Sequence, residues 1–563
     1  MVRQSAQAAG RGAKRWSNSG EVAAPGESGV REFLRRFHQR HGGWSLAAAI
    51  LLAGFYLATS IQIASHRLFW FDELFTISIS RLPNLPAMLQ ALKADNNMPL
   101  PYFVVVHLFE RLLGHSEMAA RLPSALAMTA GLLIAFDCAR RLTDGLHGLI
   151  AIAFLVCTFL PYFGYEARSY GIYFMFAALA FWIWSNTSDQ KLSSAVLFGA
   201  VFLLGVSFHY YFVLCIVPYA LWEAARWRPW RLPSWEKIAH NGLAGRGRVR
   251  RAFYSLAAAS GGLCAPKLVG GALGIGCAIA LLSGQILGAN RHSATFWSKP
   301  SLFALRETFS AIFPDAAFLL ALMMVLFAGV LASKEKIIPL APMTPAETAG
   351  WLCLAIPLAG FVLAKLVTNA FVDRYFIGML PGVGIAFACS IWRHFREGGP
   401  GAPGYNGARW VPMGAFLLLA GAGIHRQMEV LRNPESIDPF NQQTQTRAMM
   451  RLENDLRKDG KRFFLFSTGM LYFPSHFYSP HPESYVLLIS SEKDLETSNT
   501  LRYVYALRRF YPTEAWNLED LRQHAQETAL IEPSAADLAM LANAGFQTRI
   551  PYAQPLRIAY LGF

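Results

Sequence analysis

The sequence has few charged residues, and acidic ones are the scarcer kind. Only 15% of its 563 residues are charged, while 54% are hydrophobic, and the mean hydropathy is +0.30. So apolar a chain cannot consist of soluble domains alone, and it is typical of a polytopic membrane protein with some soluble mass attached. Lys and Arg number 51 against 36 Asp and Glu, a net charge of +15. These basic residues concentrate in loops between apolar segments, and no basic patch with interleaved stacking aromatics occurs outside those loops, so the sequence argues against nucleic acid as a partner.

Several other patterns are missing. None of the seven cysteines belongs to a CxxC or Cys/His metal spacing, which argues against a disulfide framework and a zinc site. The first apolar segment lacks a small-residue cleavage signature, so we interpret it as a signal anchor and not as a cleaved signal peptide. No internal repeat is evident, which disfavours the transporter folds built from inverted repeats.

Long apolar runs divide the chain into three predicted parts. Residues 1–43 are rich in Gly, Ser, Ala and Arg and are predicted to be a disordered cytoplasmic tail. Residues 44–424 form a predicted transmembrane domain, and 425–563 a small extracytoplasmic α/β domain. The predicted membrane spans are 44–65, 121–139, 148–163, 169–185, 193–208, 211–224, 267–288, 315–333, 349–368, 375–392 and 410–424.

In the C-terminal part, short apolar runs alternate with helical patterns. The predicted strands are KRFFLFST (461–468), SYVLLISS (484–491), TALIEP (528–533) and PLRIAYLGF (555–563). The predicted helices are LRYVYALRRFY (501–511) and SAADLAMLANAG (534–545), the latter with Ser534 as its cap.

One apolar stretch, PLPYFVVVHLFERLLG (99–114), sets the topology of everything after it. It contains Glu110 and Arg111 and is short for a crossing, so we predict an amphipathic helix along the membrane surface. Eleven spans then place the N-terminus in the cytoplasm and the C-terminal domain outside the cell membrane. If 99–114 crossed the membrane, the Arg-rich segment 226–251 would lie outside, against the positive-inside rule.

The acidic pair Asp72–Glu73 in WFDELF directly follows the first span. Carboxylates are costly beside hydrocarbon, so such a pair indicates a functional site, although exposure to solvent explains it equally well. The predicted topology places further polar residues on the same outer face: Asp95, Asn96, Asn97, Glu117, Arg121, Glu166, Arg168, Tyr170, His209, Tyr210, Tyr211, Asp373, Arg374 and Tyr375. A lone Arg here is more often a helix-end anchor. Together, however, the set predicts a site for an anionic, hydroxyl-rich ligand.

Four segments, in order, resemble a known family. They are FDELF (71–75), DNNMPLPYFVVVHLFERLLGHSEMAARLPSALAMTAGLL (95–133), YEARSYGIYFMFAALAF (165–181) and DRYFIGMLPGVGIAFA (373–388). The chain resembles the polyprenyl-phosphate-dependent membrane glycosyltransferases of the C-type (GT-C) fold, in particular the bacterial protein mannosyltransferase and aminoarabinose transferase-like group. The resemblance implies an all-α polytopic domain with an outer-face surface helix, beside the small α/β domain. It also implies a polyprenyl-phosphate sugar donor and a glycan, lipid or protein acceptor.

The resemblance implies roles for the outer-face residues. Asp72 would be the general base and Glu73 its helper, although the reverse assignment stays open. The family often shows a basic residue close before the surface helix, whereas here Lys93 is displaced upstream. We therefore assign the donor phosphate to Arg168 and Arg374, with Arg121 third. The residues assigned to substrate binding are Glu166, Tyr170, Asp95, Asn97, His209 and Tyr375.

The same assignment has consequences for stereochemistry and cofactors. A base that acts opposite a lipid-phosphate leaving group predicts inversion at the anomeric carbon. No cofactor is required, and a divalent metal held by Asp72, Glu73 and Glu166 is an alternative that the spacing does not demand.

Three other functions stay open at this point. A lipid-carrier flippase or transporter would need polar residues distributed through the bilayer depth. A glycan polymerase would use large outer loops, and a membrane-tethered binding protein would act through its C-terminal domain.

Overall fold

The structure is a computed structural model that describes residues 27–93, 98–187, 191–226, 266–290, 296, 298–313, 342–396 and 410–562. Up to residue 462 the regular structure of these residues is helical, and β-strands occur only beyond it. The predicted fold class, an all-α membrane domain followed by a small α/β domain, is confirmed.

The helices before the C-terminal domain are numbered here in chain order. They are α1 (Glu27–His66), α2 (Phe71–Ser80), α3 (Leu85–Ala91), α4 (Leu100–Leu113), α5 (Glu117–Leu142), α6 (Gly145–Val156), α7 (Tyr170–Asn186), α8 (Leu192–Phe208), α9 (Val217–Arg226), α10 (Pro266–Asn290), α11 (Leu302–Ile312), α12 (Pro345–Leu352), α13 (Ile356–Leu363), α14 (Leu380–Arg396) and α15 (Trp410–Arg432). Short 3-10 helices precede α7, α9 and α14, at Leu160–Tyr165, Tyr210–Ile216 and Asp373–Met379.

Five helical stretches of the described residues are long and apolar enough to cross a membrane: Gly43–His66, Glu117–Leu142, Pro266–Leu287, Pro345–Thr368 and Asp373–Phe395. Each coincides with a predicted span. Further apolar helices at Gly145–Val156, Leu192–Phe208 and Tyr210–Ala225 are shorter. The predicted span 315–333 lies outside the described residues, and the count of eleven stays a prediction.

The N-terminal segment differs from its prediction where the structure describes it. Helix α1 begins at Glu27, so the second part of the predicted tail 1–43 is helical and continues into the first apolar stretch. Residues 1–26 lie outside the described part of the chain.

Helix α4 confirms that 99–114 is a separate short helix. Its 14 residues span about 21 Å, too little to cross the hydrocarbon core of a bilayer. One face of α4 is buried against the protein, while Leu108, Leu112 and Leu113 are exposed on the other. Such a two-faced helix is typical of the membrane interface.

Close helix packing fixes the membrane domain. A Cβ atom on Gly171 of α7 would lie 2.2 Å from the backbone oxygen of Ser124 in α5, so only glycine allows this crossing. In the same way, Gly199 of α8 and Gly270 and Gly274 of α10 bring the backbones of those two helices together. Small residues at such crossings are characteristic of helix pairs in membranes.

The C-terminal domain alternates helices and strands. Its helices are α16 (Gln442–Lys458), α17 (Gly469–Tyr478), α18 (Glu492–Thr497), α19 (Asn499–Ala506), α20 (Leu518–His524) and α21 (Ala535–Asn543). Its strands are β1 (Phe463–Phe466), β2 (Tyr485–Leu488), β3 (Glu514–Trp516), β4 (Thr528–Ile531), β5 (Gln547–Tyr552) and β6 (Ile558–Gly562). The predicted strands correspond to β1, β2, β4 and β6, and the predicted helices to α19 and α21. The side chain of Ser534 caps α21 as predicted.

The strands form one sheet in the order β3-β2-β1-β4-β6-β5. The first four are parallel, and β6 and β5 are antiparallel additions at one edge. Leu465 of β1 aligns with Val486 of β2 and Leu530 of β4. These central strands are buried on both faces, which explains their continuous apolar runs.

The C-terminal domain packs against the membrane domain through α17, a helix that covers one face of its sheet. The buried side chains of that face, among them Phe466, Tyr485 and Ile531, join the core of the membrane domain in one contiguous cluster. The opposite face, with Leu465 and Leu530, has a separate core of its own. The contact on the membrane domain lies on α2, where the ring of Phe75 is 5.3 Å from the ring of Phe473 in α17, measured between ring centroids.

Candidate active site

The acidic pair lies in the first turn of α2, just after the loop that follows α1. Asp72 and Glu73 there interact favourably with the helix dipole. The Oε2 atom of Glu73 accepts a hydrogen bond from the backbone N–H of Trp70 at 3.3 Å and so caps the helix from within. The two neighbouring carboxylates point to different partners.

Asp72 is partly exposed and faces two arginines. Nη2 of Arg374 donates to Oδ2 of Asp72 at 3.0 Å, and Nη2 of Arg168 lies 3.8 Å from the same oxygen. Nη1 of Arg168 also donates to the backbone oxygen of Asp72 at 3.1 Å. Within the described residues, every contact of the carboxylate falls on Oδ2. The side chain is 22% exposed, which leaves Oδ1 available to a substrate.

Glu73 is fully buried and paired with Arg121. Nε and Nη2 of Arg121 donate to the two carboxylate oxygens at 2.7 and 2.6 Å, and the backbone N–H of Ala167 donates to Oε1 at 2.7 Å. The other N–H groups of Arg121 reach the carbonyl oxygens of Ala64, Arg67 and Leu68. All five guanidinium donors therefore have acceptors, and the pair joins α1, α2, α5 and the segment before α7.

Of the two arginines at Asp72, Arg374 keeps unused donor capacity. Nε of Arg374 is buried and has no hydrogen-bond partner in the described part of the chain. The Arg374 guanidinium lies 5.8 Å from the centre of the Trp70 ring, and that of Arg168 lies 6.0 Å from the Tyr170 ring. A guanidinium with spare N–H groups in a sheltered site is suited to a phosphate.

A cavity of about 380 Å³ opens beside Arg374. Most of its wall is apolar or aromatic, and its polar groups come from Thr158, Asp373, Arg374, Arg426 and Gln427. A few polar groups in a mostly apolar wall are typical of ligand pockets. The cavity lies between the 3-10 helix before α7, the start of the 3-10 helix before α14, and α15. Arg374 lines the cavity and also contacts Asp72, so Asp72 lies behind Arg374 at the edge of the cavity.

Glu166 and Arg67 are buried close to the cavity wall. Neither the carboxylate of Glu166 nor the guanidinium of Arg67 has a hydrogen-bond partner that meets the geometric criteria within the described residues. The Arg67 guanidinium lies 5.6 and 5.7 Å from the rings of Tyr162 and Tyr165, which line the cavity. Burial, followed by the nearby charge of Glu73, raises the pKa of Glu166 to about 7.

His209 lies in an aromatic cluster on the other side of the arginines. Its ring stacks on Tyr173 at 4.8 Å and approaches Tyr170 and Tyr375 at 5.4 and 5.6 Å. Burial, helped by the charges of Arg168 and Arg374, lowers the pKa of His209 to about 3, so its imidazole is neutral. Both ring nitrogens and the Tyr170 hydroxyl are without a hydrogen-bond partner among the described residues.

The chain is similar in fold to solved structures of a known membrane protein. The crystal structure of ArnT from Cupriavidus metallidurans bound to undecaprenyl phosphate is similar, with a TM-score of 0.52 and 13% identity. The match covers 92% of this chain and 98% of ArnT. The fold is that of the GT-C glycosyltransferases. The apo structure of the same ArnT matches with the same TM-score and coverage at 11% identity.

One family model and one further solved structure also match parts of the chain. Residues 97–243 match the family model of dolichyl-phosphate-mannose-protein mannosyltransferases. The archaeal oligosaccharyltransferase AglB from Archaeoglobus fulgidus has a TM-score of 0.40 at 11% identity, covering 77% of this chain and 63% of AglB. No curated protein sequence matches the chain. The resemblance inferred from the sequence is therefore confirmed at the level of the GT-C fold.

Within this GT-C fold, most of the predicted site residues lie together. Asp72, Arg168 and Arg374 are in direct contact, and Glu166, Tyr170, His209 and Tyr375 surround them. Arg121 differs, because its guanidinium is buried and fully engaged with Glu73 and backbone carbonyls. The geometry therefore does not favour Arg121 as a phosphate ligand or Glu73 as a helper base. Asp95 and Asn97 lie outside the described residues.

Sequence reasoning missed several residues around the cavity, notably Arg67, Trp70, Arg426 and Phe440. Arg67 and Trp70 lie within five positions before Asp72 in the sequence. This proximity was the one signal by which they could have been included among the predicted site residues. Arg426 and Phe440 reach the cavity only through tertiary packing.

Proposed function

We propose that the chain is an integral-membrane glycosyltransferase that moves a sugar from a polyprenyl-phosphate donor to an acceptor hydroxyl. One observation carries the proposal: a partly exposed carboxylate, Asp72, lies against two arginines, one of which, Arg374, has a spare N–H group and lines a mostly apolar cavity. The GT-C fold and the match to the mannosyltransferase family model support it. The undecaprenyl phosphate in the similar ArnT structure supports a lipid-phosphate donor.

Asp72 is the proposed general base. Its Oδ1 atom accepts the proton of the acceptor hydroxyl while the hydroxyl oxygen bonds to the anomeric carbon of the donor sugar. The bond between that carbon and the phosphate oxygen breaks, and its electron pair leaves with the polyprenyl phosphate. The proton stays on Asp72 until solvent removes it. Attack opposite the leaving group inverts the anomeric configuration.

Arg168 and Arg374 are the proposed ligands of the donor phosphate. Negative charge develops on the phosphate as it leaves, and fixed guanidinium groups in a sheltered site stabilise that charge. In the structure the same groups contact Oδ2 of Asp72. A phosphate that draws on their N–H groups competes with Oδ2 of Asp72 for the same donors, so donor binding and the position of the proposed base are linked.

The surrounding polar groups are proposed to bind sugar or acceptor hydroxyls. Neutral His209 offers one donor and one acceptor, and the Tyr170 and Tyr375 rings give it an apolar frame. The carboxylate of Glu166 can accept a hydrogen bond from a hydroxyl group. We assign Glu73 and Arg121 a structural role.

The site as proposed contains no metal ion. A cation held by Asp72, Glu73 and Glu166 does not fit the geometry, because the Glu73 oxygens are occupied by Arg121 and two backbone N–H groups. No cluster of three or more acidic, His or Cys side chains with metal-binding geometry occurs in the described ranges.

We also propose that this face of the protein lies outside the cell membrane, with the N-terminus in the cytoplasm. The basic loops of the sequence support this orientation. Reporter fusions at the C-terminus test it: a reporter that is active only outside the cell membrane should be active, and one that is active only in the cytoplasm should not.

The donor assignment can be tested with undecaprenyl phosphate as a probe. The purified protein in nanodiscs should bind it, and Arg374→Ala and Arg168→Ala should each weaken binding about tenfold or more, because each removes a charged phosphate contact. Arg549→Ala, on the exposed edge strand β5, is the matched control and should bind normally. Equal affinity of all four proteins would contradict the assignment.

Transfer itself is best tested in cells that lack the gene. Mass analysis of surface glycolipids and glycoproteins should show one glycan loss that the wild-type gene restores. An unchanged glycan profile in the deletion strain would contradict the proposed activity.

A further inference from the structure

The backbone in front of Asp72 is held by side chains of the C-terminal domain. The N–H of Phe71 donates to Oε1 of Gln442 at 2.9 Å, and the N–H of Phe69 donates to the Tyr478 hydroxyl at 2.7 Å. These partners stand 371 and 409 positions later in the sequence. Both belong to helices of the α/β domain, α16 and α17.

The membrane domain holds the same segment from the other side. The carbonyl oxygens of Arg67 and Leu68 accept from Arg121 at 2.8 and 2.9 Å, and the N–H of Trp70 donates to Glu73. Three consecutive amides before Asp72 thus have defined acceptors, and two of the three acceptors come from the C-terminal domain. The position of Asp72 therefore depends on both domains.

Gln442 and Tyr478 are themselves fixed. The Tyr478 hydroxyl donates to Oε1 of Glu117, the first residue of α5, at 3.0 Å while it accepts from Phe69. Gln442 is 2% exposed, and its amide nitrogen contacts the sulfur of Met470 at 3.5 Å.

The turn before Gln442 ties this contact to the cavity. Phe440 and Asn441 both adopt positive φ, 61° and 55°, in a region that bulky residues rarely occupy. The Phe440 side chain lines the cavity beside Arg374, and Gln442, two residues later at the start of α16, contacts the first residue of α2. Such strained residues persist where surrounding structure holds them, frequently at functional sites.

We infer that Gln442 and Tyr478 are positioning residues for the proposed base, so that the C-terminal domain is a structural part of the active site. This inference rests on the proposed function. The two side chains set where the first turn of α2 begins, and hence where Oδ1 of Asp72 lies relative to the anomeric carbon.

The test compares neighbouring glutamines in the full-length protein. Gln442→Leu removes the acceptor for Phe71, and Tyr478→Phe removes the acceptor for Phe69. Gln443→Leu is the matched control: Gln443 is also buried, and its side-chain amide has no hydrogen-bond partner among the described residues. Gln442→Glu restores an acceptor oxygen at the same place.

The first readout is amide hydrogen exchange of peptides that cover residues 67–75, with the protein in nanodiscs. Gln442→Leu and Tyr478→Phe should exchange faster there than wild type, because local opening costs less when an amide loses its acceptor. Gln443→Leu should not. Equal exchange in Gln442→Leu and Gln443→Leu would overturn the inference.

The second readout separates kcat from KM in the transfer reaction. Displacing a base by about 1 Å costs on the order of a hundredfold in rate, so Gln442→Leu should lower kcat about tenfold to a hundredfold with little change in the KM for donor. Gln442→Glu should recover most of kcat, which a general loss of packing would not allow. Faster exchange with unchanged kcat would overturn the inference.

The two proposals can fail separately. If wild-type protein transfers no sugar, the proposed function fails, while the exchange experiment still decides whether the C-terminal domain holds this segment.

Discussion

Asp72 and Glu73 are neighbours in sequence, yet the structure gives their carboxylates opposite surroundings. Glu73 is completely buried, and with Arg121 it forms a pair in which every donor and acceptor is satisfied. The Asp72 carboxylate is partly exposed, makes all its described contacts through Oδ2, and faces Arg168 and Arg374, of which Arg374 has a spare N–H group. The first pair holds the fold together at the junction of four segments, while the second keeps its capacity for chemistry.

The comparison shows that charge type and sequence position do not separate structural from catalytic groups. What separates them is the number of unsatisfied hydrogen-bonding atoms that remain within reach of solvent or a cavity. A buried ion pair with complete partners has nothing to offer a substrate, whereas a partly exposed one can exchange partners.

The largest expected difference is catalytic. Asp72→Asn keeps the shape of the side chain and removes the base, so sugar transfer should fall about 10²–10⁴-fold. Undecaprenyl phosphate binding and the melting temperature should stay close to wild type. Transfer assays and thermal unfolding on the same preparation check this. Wild-type-like turnover would end the assignment of Asp72 as the base.

The second difference concerns stability. Arg121→Gln leaves the buried Glu73 carboxylate without its counter-ion and should destabilise the protein by about 3–5 kcal/mol. Arg374→Gln removes the same charge from a partly exposed pair in which Asp72 keeps Arg168 nearby, so its cost should be smaller, about 1–2 kcal/mol. Denaturant or thermal unfolding of both variants in the same detergent measures the contrast. Similar losses in the two would remove the distinction drawn between the pairs.

The smallest expected effect is a pH dependence of the free energy of unfolding caused by Glu166, a buried carboxylate near Glu73. The pKa of Glu166 is raised from 4.5 to about 7 by burial and by the charge of Glu73. Because the fold favours its protonated form, the contribution of Glu166 to stability is fully present below pH 4.5 and is lost as the pH rises through 7. Between pH 5 and 8 wild type should lose on the order of 1–3 kcal/mol relative to Glu166→Gln. Parallel unfolding profiles of the two proteins would show that Glu166 does not titrate in this range.

Much of the architecture was predictable from local patterns. The surface helix α4 follows from the short apolar run with Glu110 and Arg111, and β1, β2 and β4 follow from their continuous apolar residues. The acidic pair and Arg168 and Arg374 were also found, because their positions at span ends are a property of the sequence.

The division of roles within the site was not predictable. Arg121 looked like Arg374 in sequence, since both are single arginines at the outer end of a predicted span. Only the tertiary fold shows that Arg121 meets three carbonyl groups and Glu73. The contacts of Gln442 and Tyr478 with the segment before Asp72 were invisible for the same reason, since hundreds of residues separate the partners.

That separation has a consequence for how the protein is made. During synthesis α1 and α2 leave the ribosome long before Gln442 and Tyr478, so the amides of Phe69 and Phe71 have no native acceptors while the membrane helices insert. The proposed base is therefore brought into position only when the last quarter of the chain has been translated and folded. A nascent or truncated chain would insert into the membrane while these two amides still lack their native acceptors.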